Sequence, residues 1–255
     1  MLTKRLIFTL LYDSGSFMLS RNFRLQKIGD LDWLEDNYGF STVGYAIDEL
    51  VVIDVSRQSR NTPQFCEDLK QLTRDCFAPI TAGGGIRTLE HVHQLLRSGA
   101  DKVVINTSLH DQPELVEEIA TKFGRQCIVA SIDFQKIDGT YQVFKNNGTV
   151  KVGESLEHVL LKCAGLPIGE IHIESIDRDG TGNGLDLEIL EFVKHVKDLP
   201  LILMGGIGNA DHIIAGLKDN RVDAVATAHL LNFMGNGLAR ARELAISGGI
   251  NLPKF

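Results

Sequence analysis

The stretch PITAGGGI at residues 79–86 recurs about half the chain length later as PLILMGGI at residues 200–207. Each copy joins an apolar run to a Gly-Gly-Ile turn, and each is followed at the same offset by an acidic residue and a histidine. These pairs are Glu90-His91 and Asp211-His212. Chance similarity between apolar strands would not preserve both offsets. The repeat therefore predicts two related half-barrels, at about residues 1–123 and 124–255.

Working outward from the repeat, eight short apolar runs alternate with helix-like segments. The runs are 5–11, 48–54, 78–82, 102–106, 127–133, 170–176, 200–204 and 223–228. This alternation indicates parallel βαβ units, whose strands are covered on both faces. Eight units in 255 residues favour a closed barrel over an open sheet, so we expect one α/β domain, a (βα)8 TIM barrel spanning residues 1–255.

The bulk properties exclude several classes of protein. The net charge is −7 and no basic tract stands out, which argues against nucleic acid as a partner. The sequence contains no run of about 18 apolar residues, so it predicts no membrane span. The four cysteines match no zinc or CxxC spacing. Free buried thiols are typical of a reducing compartment, so we expect a cytoplasmic protein with no metal and no cofactor.

Two insertions interrupt the regular alternation. Residues 12–30 follow the first strand and carry Gly15 among polar residues, which predicts a long loop. Residues 134–153 follow the fifth strand and alternate between turn residues, which predicts a β-hairpin. Both insertions would lie at the C-terminal mouth of the barrel, where enzymes of this fold bind their substrates.

Glycine-rich turns follow the third and seventh predicted strands. Glycine lets the backbone approach a phosphate closely, and the start of the next helix supplies free N–H groups. Thr88 and Asn209 are suitable caps for those helices. We therefore predict two phosphate sites, with tight turns alone as the alternative. The candidate ligands are Gly84, Gly85, Asn106 and Thr107 in the first half, and Gly205, Gly206 and Thr227 in the second.

Carboxylates end several predicted strands. Asp54 ends the second strand, Asp133 ends the fifth, and Asp177 and Asp179 follow the sixth. A partly desolvated carboxylate at the mouth suits general acid–base catalysis. For Asp177 and Asp179, capping or an ion pair with Arg178 is an equal alternative, whereas for Asp133 we favour chemistry.

Charged residues also stand at four strand starts. Arg5, Glu49, Lys102 and Glu170 begin strands one, two, four and six. If all four point inward, two acids meet two bases at the barrel floor, where a charged layer is costly unless it is paired. The pattern fits a structural ion-pair cluster, side chains that point outward, or a gate through the floor.

Five motifs, between about residue 4 and residue 247, resemble those of the cyclase subunit of imidazole glycerol phosphate synthase. They are KRLI at 4–7, DELV at 48–51, AGGGIR at 82–87, GADKV at 99–103 and IDRDGT at 176–181. The resemblance implies a barrel of the ribulose-phosphate-binding type and a substrate with two phosphates. It implies a heterodimer with a class I glutaminase, whose ammonia crosses the barrel through the four strand-start charges. It also implies that Asp133 is catalytic and that Gly180 and Thr181 join the phosphate sites.

Several positions depart from that family's pattern. Leu11 stands where the family has a second catalytic aspartate, and Leu19 stands where a lysine is expected. Leucine cannot transfer a proton. Met204 and His229 replace small hydroxyl residues at the second phosphate site. Glu174 replaces a threonine at the mouth and adds negative charge where an anionic substrate would lie.

The Leu-Leu pair at residues 10–11 is similar to a branch of cyclase-like proteins from surface-polysaccharide gene clusters, the WbuZ-type glycosyl amidation-associated proteins. We predict a lyase-like synthase subunit of a glutamine amidotransferase complex, which amidates a phosphorylated or nucleotide-sugar substrate. The alternatives are a genuine cyclase of histidine biosynthesis, a stand-alone sugar-phosphate isomerase, and a non-catalytic scaffold that activates a glutaminase. Leu11 counts against the isomerase, because that family also uses a strand-one aspartate.

Overall fold

The computed structural model describes residues 3–196 and 198–254. Its strands are β1 (Arg5–Asp13), β2 (Ser16–Arg21), β3 (Arg24–Gly29), β4 (Glu49–Asp54), β5 (Ile80–Gly83), β6 (Lys102–Ile105), β7 (Ile128–Ile137), β8 (Thr140–Lys145), β9 (Val150–Ser155), β10 (Glu170–Ser175), β11 (Leu201–Met204) and β12 (Ala224–Thr227). Eight of them pair in parallel in the order β1–β4–β5–β6–β7–β10–β11–β12, and β12 pairs back with β1. This closed ring confirms the predicted barrel, because each predicted apolar run overlaps one of its strands.

Helices follow most of the barrel strands. They are α1 (Leu31–Tyr38), α2 (Phe40–Val43), α3 (Thr62–Asp75), α4 (Leu89–Arg97), α5 (Thr107–Asp111), α6 (Pro113–Phe123), α7 (Leu156–Gly165), α8 (Ala210–Leu217) and α9 (Gly237–Ser247). The two expected caps are present, since the side chains of Thr88 and Asn209 accept hydrogen bonds from the backbone at the starts of α4 and α8. The helices α4, α6 and α8 each bury an apolar stripe and pack against a barrel strand.

The connection from β10 to β11 differs from the helix that the alternation predicts. It contains two 3-10 segments, Leu187–Glu191 and Val193–Val196. A glycine-rich turn precedes them, in which Gly180, Gly182 and Gly184 all have positive φ. After that turn, few residues remain to bring the chain back to the start of β11. A 3-10 turn rises about 2.0 Å per residue against about 1.5 Å in an α-helix, so it covers the distance with a shorter chain.

Two antiparallel hairpins extend from the barrel at its mouth. Residues 12–30 are not the long loop that we expected, because β2 and β3 pair with each other and with the end of β1. Four turn residues have the positive φ that tight hairpin turns require. They are Ser14, Gly15, Asn22 and Phe23. The predicted hairpin at residues 134–153 is present, as β7 continues into β8 and β9.

The apolar core has two parts, because successive strand residues point to opposite faces. The larger part, which includes Leu6, Phe8 and Leu10 of β1, lies between the strands and the helices. The smaller part lies inside the barrel and consists of Ile7, Val51, Val104, Val129, Ile202, Met204, Ala224 and Ala226. All four cysteines are buried and free, as predicted. Within the described residues, no helix combines the length and the apolar character that crossing a membrane requires.

Candidate functional site

The inward-facing residues of β10 mark three levels of the barrel interior. Glu170, His172 and Glu174 alternate along this strand and therefore point to the same face. Their register partners on β7 include Ser131 beside His172 and Asp133 beside Glu174. Polar groups thus lie at the N-terminal floor, at mid-height and at the C-terminal mouth.

The four strand-start charges form a closed set of ion pairs, which we call the charged ring (Arg5, Glu49, Lys102 and Glu170). Arg5 Nη1 lies 3.0 Å from Glu49 Oε2, and its Nη2 lies 2.6 Å from Glu170 Oε2. Lys102 Nζ lies 2.9 Å from Glu49 Oε2 and 2.6 Å from Glu170 Oε1. Each cation therefore bridges both carboxylates across the floor of the barrel.

The charged ring is largely shielded from solvent. The side chains of Glu49 and Glu170 are 2% and 11% exposed, and Thr81 Oγ1 also donates to Glu49 at 2.6 Å. Burial by itself would raise the pKa of Glu170. Hydrogen bonds and charges from Arg5 and Lys102 outweigh burial and hold that pKa below its ordinary value. Glu170 consequently stays ionised at neutral pH and the ion pairs persist.

At the mouth, a cleft of about 940 Å³ that is open to solvent lies over β4 to β7. The residues predicted for the first phosphate site, Gly84, Gly85, Asn106 and Thr107, all line it. At Gly84, φ is +105° and a Cβ atom would lie 2.1 Å from the carbonyl oxygen of Asp54. Only glycine fits there, and its bare backbone is accessible to a ligand.

Three arginines that the sequence analysis missed as site residues surround this first cleft. Arg57 and Arg60 come from the loop after β4, and Arg87 comes from the loop after β5. Arg60 Nε lies 3.7 Å from Asp54 Oδ2, and Arg87 Nη1 donates to Ser108 Oγ at 2.9 Å. Their convergence favours an anionic ligand. The available signal was a pair of arginines three residues apart, directly after a strand that ends at the mouth.

Asp133 and Glu174 lie side by side at the edge of the first cleft. They are register partners on β7 and β10, both line the cleft, and they are 7% and 8% exposed. Burial, and then the nearby charge of Asp179, raises the pKa of Asp133 to about 7 against a hydrogen bond from Ser131. Burial and the charges of Asp179 and Asp133 raise the pKa of Glu174 well above its ordinary value. A carboxyl group that titrates near neutrality, as Asp133 does, can both accept and return a proton.

The acids in the turn after β10 hold the mouth hairpins. Asp179 accepts hydrogen bonds from Ser20 Oγ and from the Phe23 amide at 2.9 Å, both on the β2–β3 hairpin. Asp177 Oδ2 accepts from the Lys136 amide at 2.7 Å, where β7 runs into the second hairpin. These bonds give both aspartates a structural role, although the partners are hairpin residues rather than the Arg178 side chain considered above.

A second cleft of about 660 Å³ lies over β11, β12 and the β2–β3 hairpin. Its lining includes Gly180, Gly205, Gly206, Thr227, Met204 and His229. Thr181 belongs to the adjoining turn, where its Oγ1 donates to the carbonyl oxygen of Arg178 at 2.7 Å. Arg21 and Arg24 of the hairpin also line this cleft and give it positive charge. Because residues 12–30 were expected to form a loop, the sequence did not predict that these two arginines line a cleft.

The leucines that replace the expected aspartate and lysine lie in these clefts. Leu11 lines the first and is 8% exposed, and Leu19 lines the second. Asp13, two residues beyond Leu11, accepts a hydrogen bond from Ser56 Oγ at 2.9 Å. The two carboxyl groups of the first cleft with a raised pKa, Asp133 and Glu174, therefore lie on β7 and β10, whereas Asp54 at the end of β4 is paired with Arg60. Within residues 3–196 and 198–254, no group of three His, Cys, Asp or Glu residues is arranged to hold a metal ion.

Fold and site together define a TIM barrel whose candidate chemistry lies at the carboxyl ends of its strands, opposite a charged floor. The family described as "Histidine biosynthesis protein" matches residues 42–235, and the chain belongs to it. The chain is 47% identical over 242 residues to a protein of Parasynechococcus marenigrum named "Putative imidazole glycerol phosphate synthase subunit hisF2", covering 95% of this chain and 90% of the relative.

Two further relatives are named imidazole glycerol phosphate synthase subunit HisF. The protein of Chlorobaculum tepidum is 36% identical over 205 residues, which cover 80% of this chain and 82% of the relative. The protein of Exiguobacterium sp. is 36% identical over 233 residues, which cover 91% and 89%. The chain is thus a HisF-like member of the family, and the predicted resemblance is confirmed.

Proposed function

We propose that this chain is the synthase subunit of a heteromeric glutamine amidotransferase. It receives ammonia from a class I glutaminase, passes it through the barrel, and uses it on a phosphorylated or nucleotide-sugar substrate at the mouth. The observation that carries the proposal is the charged ring at the floor, opposite the two clefts.

The energetics of the charged ring favour a functional role. Replacing a buried ion-pair cluster by apolar residues of similar volume is often neutral or stabilising, so stability alone gives little reason to keep four charges inside a barrel. The side chains of Arg5 and Lys102 retain 23% and 19% exposure, which connects the ring to the outer face. Opening of one ion pair would admit a small neutral molecule, whereas ammonium would have to give up the hydration of its charge.

The outer face around the charged ring offers apolar surface for a glutaminase. Tyr45 and Phe77 are 62% and 77% exposed. They lie in the connections that lead into β4 and β5, so they flank the floor from which Glu49 points inward. Exposed aromatic residues are enriched at protein interfaces. This surface supports docking of the partner at the end of the barrel where ammonia would enter.

At the mouth, Asp133 and Glu174 would carry out the proton transfers. Ammonia that attacks an electrophilic carbon becomes a cationic amine, which must lose a proton before it is a stable product. Asp133, with a pKa raised to about 7, is a suitable acceptor for that proton and a suitable donor to a leaving group. The glycine turns and arginines of the two clefts would hold the anionic ends of the substrate.

Two substrates are compatible with this proposal, and different observations favour them. The family and the names of the relatives favour imidazole glycerol phosphate synthesis in the histidine pathway. Leu11 in place of the expected strand-one aspartate, together with Glu174, favours amidation of a sugar for a surface polysaccharide. Growth of a cyclase-deficient histidine auxotroph that carries this chain would support the first and reject the second. A Leu11→Asp variant that grows better than the parent would assign the difference to that one position.

A direct test of ammonia transfer mixes the chain with a class I glutaminase. We expect the two to co-purify and the glutaminase to hydrolyse glutamine faster in the complex. A chain that neither binds nor stimulates that glutaminase would refute the proposal. Turnover of a sugar phosphate without ammonia would revive the stand-alone isomerase. Undiminished amidation by an Asp133→Asn variant would instead favour a scaffold that only activates its partner.

A further inference from the structure

His172 is a buried polar residue for which the chemistry described above has no use. It lies at mid-height on the inner face of β10 and is 4% exposed. Glu170 of the charged ring stands two positions before it along the strand, and Glu174 at the mouth stands two positions after it. A strand rises about 3.3 Å per residue, so His172 is about 7 Å from each of these levels.

One nitrogen of the His172 ring has a partner. Its Nδ1 lies 3.4 Å from Ser131 Oγ, and Ser131 Oγ donates to Asp133 Oδ1 at 3.3 Å. When Asp133 is ionised, the Ser131 hydroxyl donates to that carboxylate and its oxygen accepts from Nδ1–H of His172. This arrangement selects the tautomer in which Nε2 carries a lone pair and no proton.

The other ring nitrogen of His172 is an orphan. Across the described portion of the chain, its Nε2 is buried and has no hydrogen-bond partner. Ile202, its register partner on β11, belongs to the apolar core inside the barrel, as does Val129 of β7. Leaving a buried acceptor unpaired is costly for a fold, so such a group calls for a ligand or a function.

We propose that His172, oriented by Ser131, forms a binding site for neutral ammonia halfway between the charged ring and the mouth. Ammonia donates one N–H to the Nε2 lone pair and keeps its own lone pair for attack. Burial lowers the pKa of the His172 imidazole to about 4, against the charge of Glu170, so the ring has no proton that ammonia could take. Ammonia consequently remains nucleophilic on its way to Asp133.

This inference rests on the proposed passage of ammonia, but binding can be tested on the chain alone. The probe is ammonium chloride at a pH above the pKa of ammonium, with sodium chloride at equal pH and ionic strength as the blank. The measurement is the ¹⁵N and ¹H signals of the histidine rings in the labelled full-length chain. We expect the Nε2 signal of His172 to move saturably with ammonia and not with sodium chloride.

The chain provides its own reference group. His110 also has a buried Nε2 without a partner among the described residues, but it lies in the last turn of α5, outside the barrel and near Lys145. We expect the chemical shift of its Nε2 to be unchanged when ammonia is added. His172→Leu assigns the signal by removing it, and Ser131→Ala keeps the imidazole while mixing its two tautomers. A His172 signal that ammonia leaves unmoved, or that moves no more than that of His110, would overturn the site and leave water as its occupant.

The two proposals fail in different ways. A chain that binds ammonia at His172 but recruits no glutaminase keeps this site and loses the proposed function. A chain that binds and stimulates a glutaminase while the His172 signal ignores ammonia keeps the proposed function and loses this site.

Discussion

Replacing Glu170 by glutamine tests whether the charged ring is a coupled, desolvated unit. The substitution keeps the size of the side chain and removes its charge. Arg5 and Lys102, which both lie 2.6 Å from Glu170, would then share Glu49 as the only carboxylate of the ring. The charge of the four-residue set changes from zero to +1 in a largely buried location.

The size of the effect follows from burial. Removing one partner of a buried ion pair costs roughly 3–5 kcal/mol, because the other charge is left without compensation. The cations here retain 19–23% exposure, so we expect the low end, about 3 kcal/mol. For a domain of this size, that loss lowers the midpoint of thermal unfolding by roughly 6–12 °C.

The matched control is an exposed ion pair of the same length. Lys136 Nζ and Glu188 Oε2 also lie 2.6 Å apart, but their side chains are 39% and 74% exposed. Glu188→Gln is expected to have no measurable effect, because solvent screens such pairs. The assay is urea unfolding of both variants and the parent, with the free energy taken from midpoints at constant slope. Equal stabilities of Glu170→Gln and Glu188→Gln would refute the view of the ring as a desolvated unit.

The stability difference between the parent and Glu170→Gln also has a predicted pH dependence. The pKa of Glu170 is lower in the folded chain than its unfolded value of about 4.3. The contribution of Glu170 is therefore fully present above that value and is lost as the pH falls through the folded pKa. The difference should be constant near neutrality and shrink below about pH 4. A difference that grows in acid would contradict the sign of this pKa shift.

Three further predictions concern the mouth and the outer face. Asp133→Asn should lower ammonia-dependent turnover by about 100-fold or more and abolish a rise in turnover as the pH increases through about 7, both measured in steady-state rates. Phe77→Asp should weaken glutaminase binding about tenfold in calorimetry without changing the unfolding midpoint; unaltered affinity would remove this face from the interface. Gly84→Ala should lower the free energy of unfolding in urea by about 1–3 kcal/mol, because the new Cβ would collide with the backbone of Asp54. The control Gly15→Ala should lower it less, because no atom lies within 4 Å of the Cβ position there.

The sequence predicted the features that depend on periodicity. Apolar runs located all eight barrel strands, and cap chemistry located the starts of α4 and α8. Both are local signals, since buried parallel strands must be apolar and helix starts need a side-chain acceptor. The division into two half-barrels stays a prediction.

The hairpin at residues 12–30 was missed although a signal existed. Short turns at Ser14-Gly15 and Asn22-Phe23 separate segments long enough for strands, which is the usual mark of a hairpin. The polar composition of β3 concealed it, because this strand covers little of the core and is mostly half-buried or exposed. Polar edge strands lack the alternation from which strands are recognised.

Other features could not be predicted, because they depend on how distant segments meet. The arginines of the first cleft, such as Arg57 and Arg87, come from separate loops and converge only when the barrel closes. The inward position of His172 follows from its spacing to Glu170. The lack of a partner for its Nε2 could not be predicted from that spacing, because it depends on which side chains the opposite wall presents at the same height.

The distribution of polar groups inside the barrel gives a direction to the chemistry. The wall formed by β7 and β10 is polar at every level above the floor, with His172 and Ser131 at mid-height and Asp133 and Glu174 at the mouth. The facing wall of β1 and β4 presents Ile7 and Val51 above the floor, Thr9 at mid-height and Leu11 at the mouth. If ammonia crosses the barrel as proposed, it is better solvated along β7 and β10 and would reach the mouth beside the two acids. The proposed function therefore expects a substrate to present its reacting carbon on that side, away from Leu11 on β1.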